Sequence, residues 1–491
     1  MQDATYWAEA LRKKTISFGE LVAQIKEKVE KENPALNALV TIDYQAAQAE
    51  YEKRAATENL SDSLFAGLPV PLKILGQAKK GWQDSGGSRL FADAVSSESN
   101  HFVKQMESLG IVPMGQTNAP EFGFKNITDP ELFGPTRNPW DQARYPGGSS
   151  GGAAAAVASG MFPLAGASDG GGSIRIPASF SGLIGLKPTR GTMPVGPDGW
   201  RGWQGASINF ALTVSMRDTA AFFYGMRGTE NAAPYQAPRN EWQHDQNQKL
   251  QLQRPLKIAF TTVSPVGSAV SVEAVAAVHQ AVSFLTATGH QVTEIKYPLD
   301  GDRIIRSYYQ MNGAETAAMF DNIQAGLQRP VSKNEVELMT WGIWQYGRKL
   351  PAAGYVNSLA VWDQAAAEMS RLHETYDLFL TPTTAQVAPR LDQELVSQKI
   401  VEELAVMDQK TTDAGAELIY RMFEKSLALS PFTQLANLTG QPAISLPTHV
   451  TKAGLPLGIQ FMAQKGREDL LLAIGRSFEA AGLFRLPTAW Q

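Results

Sequence analysis

The stretch from Gly147 to Gly172, GGSSGGAAAAVASGMFPLAGASDGGG, concentrates nine of the chain's 43 glycines in 26 residues. Its middle, Ala153 to Ala158, is a strong helix former, while both flanks are glycine loops that carry serine. Two polar loops therefore bracket one helix made of small residues, and such a helix can be approached very closely by its neighbours. Only a large dry interior accommodates it. A chain of 491 residues provides one, because size scaling buries about three quarters of the unfolded surface.

Composition narrows the class further. A hydrophobic share of 43% and a charged share of 19% are ordinary globular values, which removes disorder, coiled coil and collagen. The 44 basic and 48 acidic side chains leave a net charge of −4, against a dedicated nucleic-acid surface. Cysteine is absent, so disulfides, thiolate metal sites and a cysteine nucleophile are excluded, in keeping with a reducing compartment. The opening residues MQDATYWAEALRKKTISFGE mix charges and hold no apolar core of signal-peptide length. No window reaches ~18 consecutive apolar residues. A cytoplasmic location is the expectation.

Residues 1 to about 60 read as helical hairpin material, with Ser17 and Glu20 in capping-box spacing. Leu68–Leu75, LPVPLKIL, reads as a buried strand interrupted by one lysine. Gly228–Arg254 is polar and rich in Asn and Gln, as a surface connection would be. Lys257–Phe260, Val272–Ala287 and Gln291–Tyr297 then read as strand, helix and strand, with Gly289 where a helix C-terminal glycine belongs. That order implies parallel pairing through a crossover. Asp377–Leu380, Ala443–Leu446 and Leu457–Phe461 are further strands, and Glu468–Ala480 a last helix.

Three places could carry chemistry. Asp169-Gly170-Gly171-Gly172-Ser173 offers successive amides that could face an oxyanion, with Ser173 as nucleophile; a glycine turn or a phosphate cradle is the plainer reading. The run 147–152 also fits a G-x-S-x-G elbow with Ser150 at its centre. That version needs a histidine, and none of His101, His244, His279, His290, His373 and His449 sits beside a carboxylate in a recognisable motif. No phosphate-loop motif occurs, since Lys187 is followed by proline. Lys73 is the remaining base; as an ordinary strand lysine it would snorkel to water, whereas as a base it must be buried and neutral near pH 7.

Lys73, the GGSSGG run and DGGGSIRIPASFSGLIGLKPTRG at 169–191 together resemble the amidase signature family, whose device is a Ser–cis-Ser–Lys triad. The likeness runs from about Ala66 to Ala221, through GQTNAPEFG at 115–123 and NPWDQARYPGGSSGG at 138–152, and weakens through TPTT at 381–384. Ser149 stands 24 residues before Ser173, the family's spacing of its two serines. The resemblance implies Ser173 as nucleophile, Ser149 as relay after a cis Gly148–Ser149 bond, and Lys73 as base. It implies an oxyanion hole from the amides of Gly170, Gly171, Gly172 and Ser173, with Asp169, Ser150 and Arg175 as supports. No metal or organic cofactor is called for. Gly170 replaces a common threonine or isoleucine, Ser181 a frequent cysteine, and Ile74 a usual acidic residue.

The fold implied by the resemblance is α/β, one large domain over 1–491 with a central mixed sheet flanked by helices. Within it, 1–60 is the N-terminal helical segment, about 66–221 the signature core, and about 255–491 the rest of the sheet and the substrate pocket. The implied partner is a small-molecule amide, with neither nucleic acid nor membrane, and homodimerisation stays open. Pro194–Asn209 and the aromatics Trp341, Trp344, Tyr346 and Tyr355 are candidates for the pocket rim, although core packing is the default use of large rings. The wording around KPTRG and the following GW-x-G is similar to that of aminohexanoate cyclic-dimer hydrolases, which points to small linear or cyclic aliphatic amides. Two other readings stand beside it. One is the glutaminase (A) subunit of tRNA-dependent amidotransferase, against which the continuation TMPVGPDGWRG speaks. The other is a non-enzymatic anion-binding protein.

Overall fold

A computed structural model describes residues 1–228, 230–238 and 250–491. Its strands are β1 Leu39–Thr41, β2 Pro69–Lys73, β3 Val112–Thr117, β4 Ala165–Asp169, β5 Ile184–Lys187 and β6 Ile208–Thr213. The remainder are β7 Lys257–Phe260, β8 Gln291–Glu294, β9 Leu378–Pro382, β10 Ala443–Val450 and β11 Pro456–Ala463. Eight of them form one sheet in the order β4-β6-β5-β10-β11-β9-β7-β8. Pairing is antiparallel from β4 to β9 and parallel across β9, β7 and β8, so the sheet is mixed, as expected.

The crossover predicted around residue 280 is present. Helix Val272–Ala287 joins β7 to β8, whose register sets Ile258 opposite Val292 in parallel. It covers the sheet with Ala274, Ala277, Val278, Ala281 and Leu285. Gly289 follows in the left-handed region at φ +90°.

A second sheet was not expected. β1, β3 and β2 make a three-stranded sheet in that order, β3 being antiparallel to β1 and parallel to β2. β1 has only three residues and lies among helices, and β3 reads VPMGQT, where proline and glycine look like turn residues. Residues 1–60 thus hold helices Ala4–Arg12, Phe18–Leu36 and Tyr44–Thr57 plus one strand. The capping box is real: Glu20 N–H donates to Ser17 Oγ at 3.2 Å, and Ser17 N–H donates to Glu20 at 2.8 Å.

The alanine helix, Gly151–Ala158, is buried at every residue. At Gly152 a β-carbon would collide with the backbone of Ala38 and of Asn118, which explains glycine there. Two long helices, Gly301–Leu327 and Ala352–Thr375, escaped the sequence reading. The buried face of the first includes Ser307, Asn312 and Thr316, and these polar residues break the apolar period that would reveal it. Of the connection at 228–254, residue 229 and residues 239–249, with His244, lie outside the described residues. Among the described residues no helix is long and apolar enough to cross a membrane.

Candidate active site

The two sheets meet where the chemistry-bearing residues collect. Lys73 ends β2 in the small sheet, while Asp169 ends β4, the edge strand of the large one. The loop between β4 and helix Arg175–Ser181 carries Ser173, and the loop before the alanine helix carries Ser149. The Gly148–Ser149 peptide is cis, as the resemblance implied.

Lys73 is 0% exposed, so it does not snorkel. Its Nζ donates to Ser149 Oγ at 2.7 Å and to Ser168 Oγ at 2.9 Å. Burial pulls its pKa down to about 7, opposed by the negative charge of Asp169. A lysine in that state shares its population between ammonium and free amine at neutral pH. Ser168 was missed in the sequence. It precedes the DGGGS motif by one residue, and nothing in its neighbours marks it as a partner of an amine 95 residues away.

Ser173 is half-buried, and its carbonyl accepts from Ser150 N–H at 3.3 Å, which ties the two serine loops together. Ser150 is a strut. Its hydroxyl donates to the Ser168 carbonyl at 3.1 Å and accepts from Ser168 N–H at 3.2 Å. The elbow reading with Ser150 as nucleophile finds no base, since no described histidine lines the cavities around Ser173. His449, for instance, is engaged with Glu273 at 2.9 Å and Gln280 at 3.1 Å. Lys187 is a core residue whose Nζ donates to the Pro188 carbonyl at 2.7 Å.

Asp169 organises the glycine loop. Its carboxylate accepts from Gly172 N–H at 2.7 Å and Ile174 N–H at 3.2 Å, and from Arg175 Nε at 2.9 Å and Nη2 at 3.0 Å. Burial works to raise its pKa, but the Arg175 charge and hydrogen bonds outweigh that and hold it at about 2. The expected four-amide oxyanion hole needs one correction. Gly172 N–H is already given to Asp169, so it turns away from the cavity. Among the described residues no acceptor faces the amides of Gly170, Gly171 and Ser173.

Arg175 reaches further, donating from Nη1 to Gln460 Oε1 at 2.7 Å and from Nη2 to Asn437 Oδ1 at 2.6 Å. Asn437 Nδ2 donates back to the Asp169 carbonyl at 2.9 Å, and Thr433 Oγ1 to the Gly171 carbonyl at 2.7 Å. These residues lie more than 250 positions downstream, so local motif reading could not have found them.

Two cavities open on Ser173. The larger, about 420 Å³, also borders Ser149, Ser168 and Gly170, and much of its wall is the segment 194–209. The smaller, about 60 Å³, borders Gly171 and Tyr308. Trp203 lines both. Its backbone is left-handed at φ +51°, and Gln204 follows at +53°, a sparsely populated turn that thrusts the indole between Phe124 and Tyr308. The indole lies on Gly170, where a β-carbon would come within 2.9 Å of the ring. The other proposed rim aromatics are not at the rim. Trp344 and Tyr346 are each 2% exposed in separate core clusters, Trp341 packs against Trp344, and Tyr355 donates to Glu315 at 2.6 Å. Burial of large rings won, as is usual.

Among the described residues no cluster of three His, Cys, Asp or Glu side chains could hold a metal ion. The arrangement holds a hydroxyl beside unpaired amides, with a second hydroxyl on a buried amine of lowered basicity. That is equipment for acyl transfer.

The amidase family model matches residues 20–472. A lipoamidase of Enterococcus faecalis is 37% identical over 475 residues, covering 96% of this chain and 62% of that protein, so the chain spans less than two thirds of that relative. The 6-aminohexanoate-cyclic-dimer hydrolase of Paenarthrobacter ureafaciens is 32% identical over 490 residues, covering 98% of this chain and 94% of that one. A solved structure of 6-aminohexanoate cyclic dimer hydrolase complexed with substrate superposes with a TM-score of 0.89 at 30% identity, covering 100% of this chain and 99% of the other.

Proposed function

The chain belongs to the amidase family, hydrolases of amide bonds, and we propose that it works through a serine acyl-enzyme in which Ser173 is the nucleophile, Ser149 the proton relay and Lys73 the base. The observation that carries this is the buried Lys73 Nζ, 2.7 Å from Ser149 Oγ, with a pKa near 7. As free amine, Lys73 keeps an N–H for Ser168 Oγ and turns its lone pair to the Ser149 hydroxyl. Ser149 gives its proton to Lys73 and takes one from Ser173 as Oγ of Ser173 bonds to the substrate carbonyl carbon.

Negative charge then grows on the carbonyl oxygen, and the amides of Gly170, Gly171 and Ser173 are its donors. The same chain of hydroxyls returns the proton to the amide nitrogen, since an amine leaves poorly unless protonated. The C–N bond breaks, and water, deprotonated along the same route, cleaves the ester to acid and free Ser173. The relatives named for lipoamide and for 6-aminohexanoate cyclic dimer support an aliphatic amide, linear or cyclic, as substrate. The absence of cysteine agrees with a cytoplasmic location.

The test is Ser173→Ala, with a fluorophosphonate as active-site label. The parent is expected to gain one adduct on Ser173 and to turn over short aliphatic amides or cyclic dimers. The variant should do neither, and turnover retained in it would refute the assignment. Glutamine and aryl amides in the same panel separate this reading from a glutaminase or an arylamidase.

A further inference from the structure

The turn that carries Trp203 holds three successive residues in the left-handed region, Trp203 at φ +51°, Gln204 at +53° and Gly205 at +76°, and only the last is glycine. Residues with a β-carbon stay there only where their surroundings hold them. At Gln204 that hold is visible. Its Nε2 donates to Glu315 Oε1 at 2.9 Å, and its Oε1 accepts from Tyr235 Oη at 3.3 Å, so both ends of the amide are engaged and its orientation is fixed. The same Glu315 oxygen accepts from Tyr355 Oη at 2.6 Å. Among the described residues no cation pairs with this carboxylate, and its partners are these two neutral donors.

Glu315 stands on helix Gly301–Leu327, seven residues after Tyr308 and four before Met319. That spacing sets the three on one helical face. Tyr308 meets the Trp203 indole edge-on with ring centroids 6.2 Å apart, Glu315 holds the residue beside it, and Met319 lines the larger cavity. One helix therefore grips the turn at two points, while the indole also stacks on Phe124 at 6.0 Å. Among the described residues Gly123, Ser173 and Trp203 alone border both cavities, so the indole is the one large side chain in the partition between them.

We propose that Glu315 is a positioning residue for substrate selection: by holding Gln204 it keeps the Trp203 indole between the two cavities, and so limits the length of chain that a substrate can carry beside Ser173. The proposal rests on Ser173 hydrolysing amides as described above. Without the hydrogen bond to Glu315 the left-handed turn relaxes and the indole leaves its seat. The cavities of about 60 and 420 Å³ then join.

The experiment compares butanoyl with octanoyl amides of one amine, and butyl with octyl amides of one acid, in the parent and in Glu315→Leu. In one of the two series the variant is expected to raise the long-to-short ratio of kcat/KM about fivefold or more, mostly through KM, since a single methylene seated in an apolar pocket is worth about tenfold. Fluorophosphonate labelling of Ser173 should persist at the parent's rate. Glu315→Gln keeps an acceptor for Gln204 and Tyr355, and it should restore the parent ratio. In a Trp203→Ala background Glu315→Leu should change the ratio no further, because its effect passes through the indole. If Glu315→Leu fails to fold, Gln204→Met breaks the same contact from the other side and decides in its place. Unchanged ratios in both series, a Glu315→Gln variant as altered as Glu315→Leu, or an equal shift in the Trp203→Ala background would overturn the proposal. Labelling of Ser173 and turnover of the short amides keep the reaction assignment standing in that event, whereas a parent that neither labels nor turns over would remove both.

Discussion

At Lys73 one proton decides whether the relay can run. Its amine is active when neutral, and its pKa stands near 7, so kcat/KM should rise with pH through a midpoint near 7 and then level off. A profile flat from pH 5 to 9 would contradict this. Lys73→Ala should cost ~10²–10⁴ in kcat at pH 7, with partial recovery at alkaline pH where hydroxide replaces the base. A loss of only a few-fold would exclude Lys73 as the base. The residue was visible in the sequence as one charge in an apolar run, but its burial was not. Whether a lysine snorkels or is enclosed depends on what covers the strand end, and here the cover is Ser149 and Ser168 from distant loops.

At the scale of elements, the loop after β4 and the turn at Trp203 fit each other. Gly170, which stands where the family resemblance implies a threonine or isoleucine, leaves the space that the indole fills. Gly170→Thr should therefore push Trp203 off its seat and change substrate preference more than the chemical step. The expected outcome is a several-fold change in KM ratios across a panel of acyl chains, while fluorophosphonate labelling of Ser173 persists. An unchanged panel would mean the indole does not shape the pocket. The glycine loop and the segment 194–209 were legible because glycines and motif wording are local signals. Trp203 could not be singled out within that segment, since its role comes from a left-handed turn that sequence does not announce. The four aromatics at 341–355 follow the default use of large rings: Trp344 and Tyr346 are core residues, and Trp341 and Tyr355 are partly buried against core clusters.

For the whole molecule, the Asp169–Arg175 pair is the knot. Both are fully buried, and Arg175 joins β4 to Asn437 and to Gln460 of β11. Asp169→Asn leaves the guanidinium in the interior without its counter-charge, and loss of one partner of such a pair costs about 3–5 kcal/mol. Denaturant unfolding would measure it, and a change below about 1 kcal/mol would refute the role. The carboxyl sits at about 2, below its ordinary range near 4, so its contribution is complete above that range and fades as pH falls toward 2. The parallel pairing of β7 and β8 was foreseeable from strand–helix–strand spacing and the mixed sheet from the family resemblance, whereas the three-stranded sheet was not, because its strands are short and carry turn residues.

The anchors of the glycine loop come late. Thr433, Asn437 and Gln460 are synthesised long after Ser173, so a ribosome-bound chain that already contains every reacting group still lacks what holds Asp169 and Arg175 in place. A nascent chain would thus stay catalytically silent until its final strands arrive, and acylating power would switch on only with completed folding.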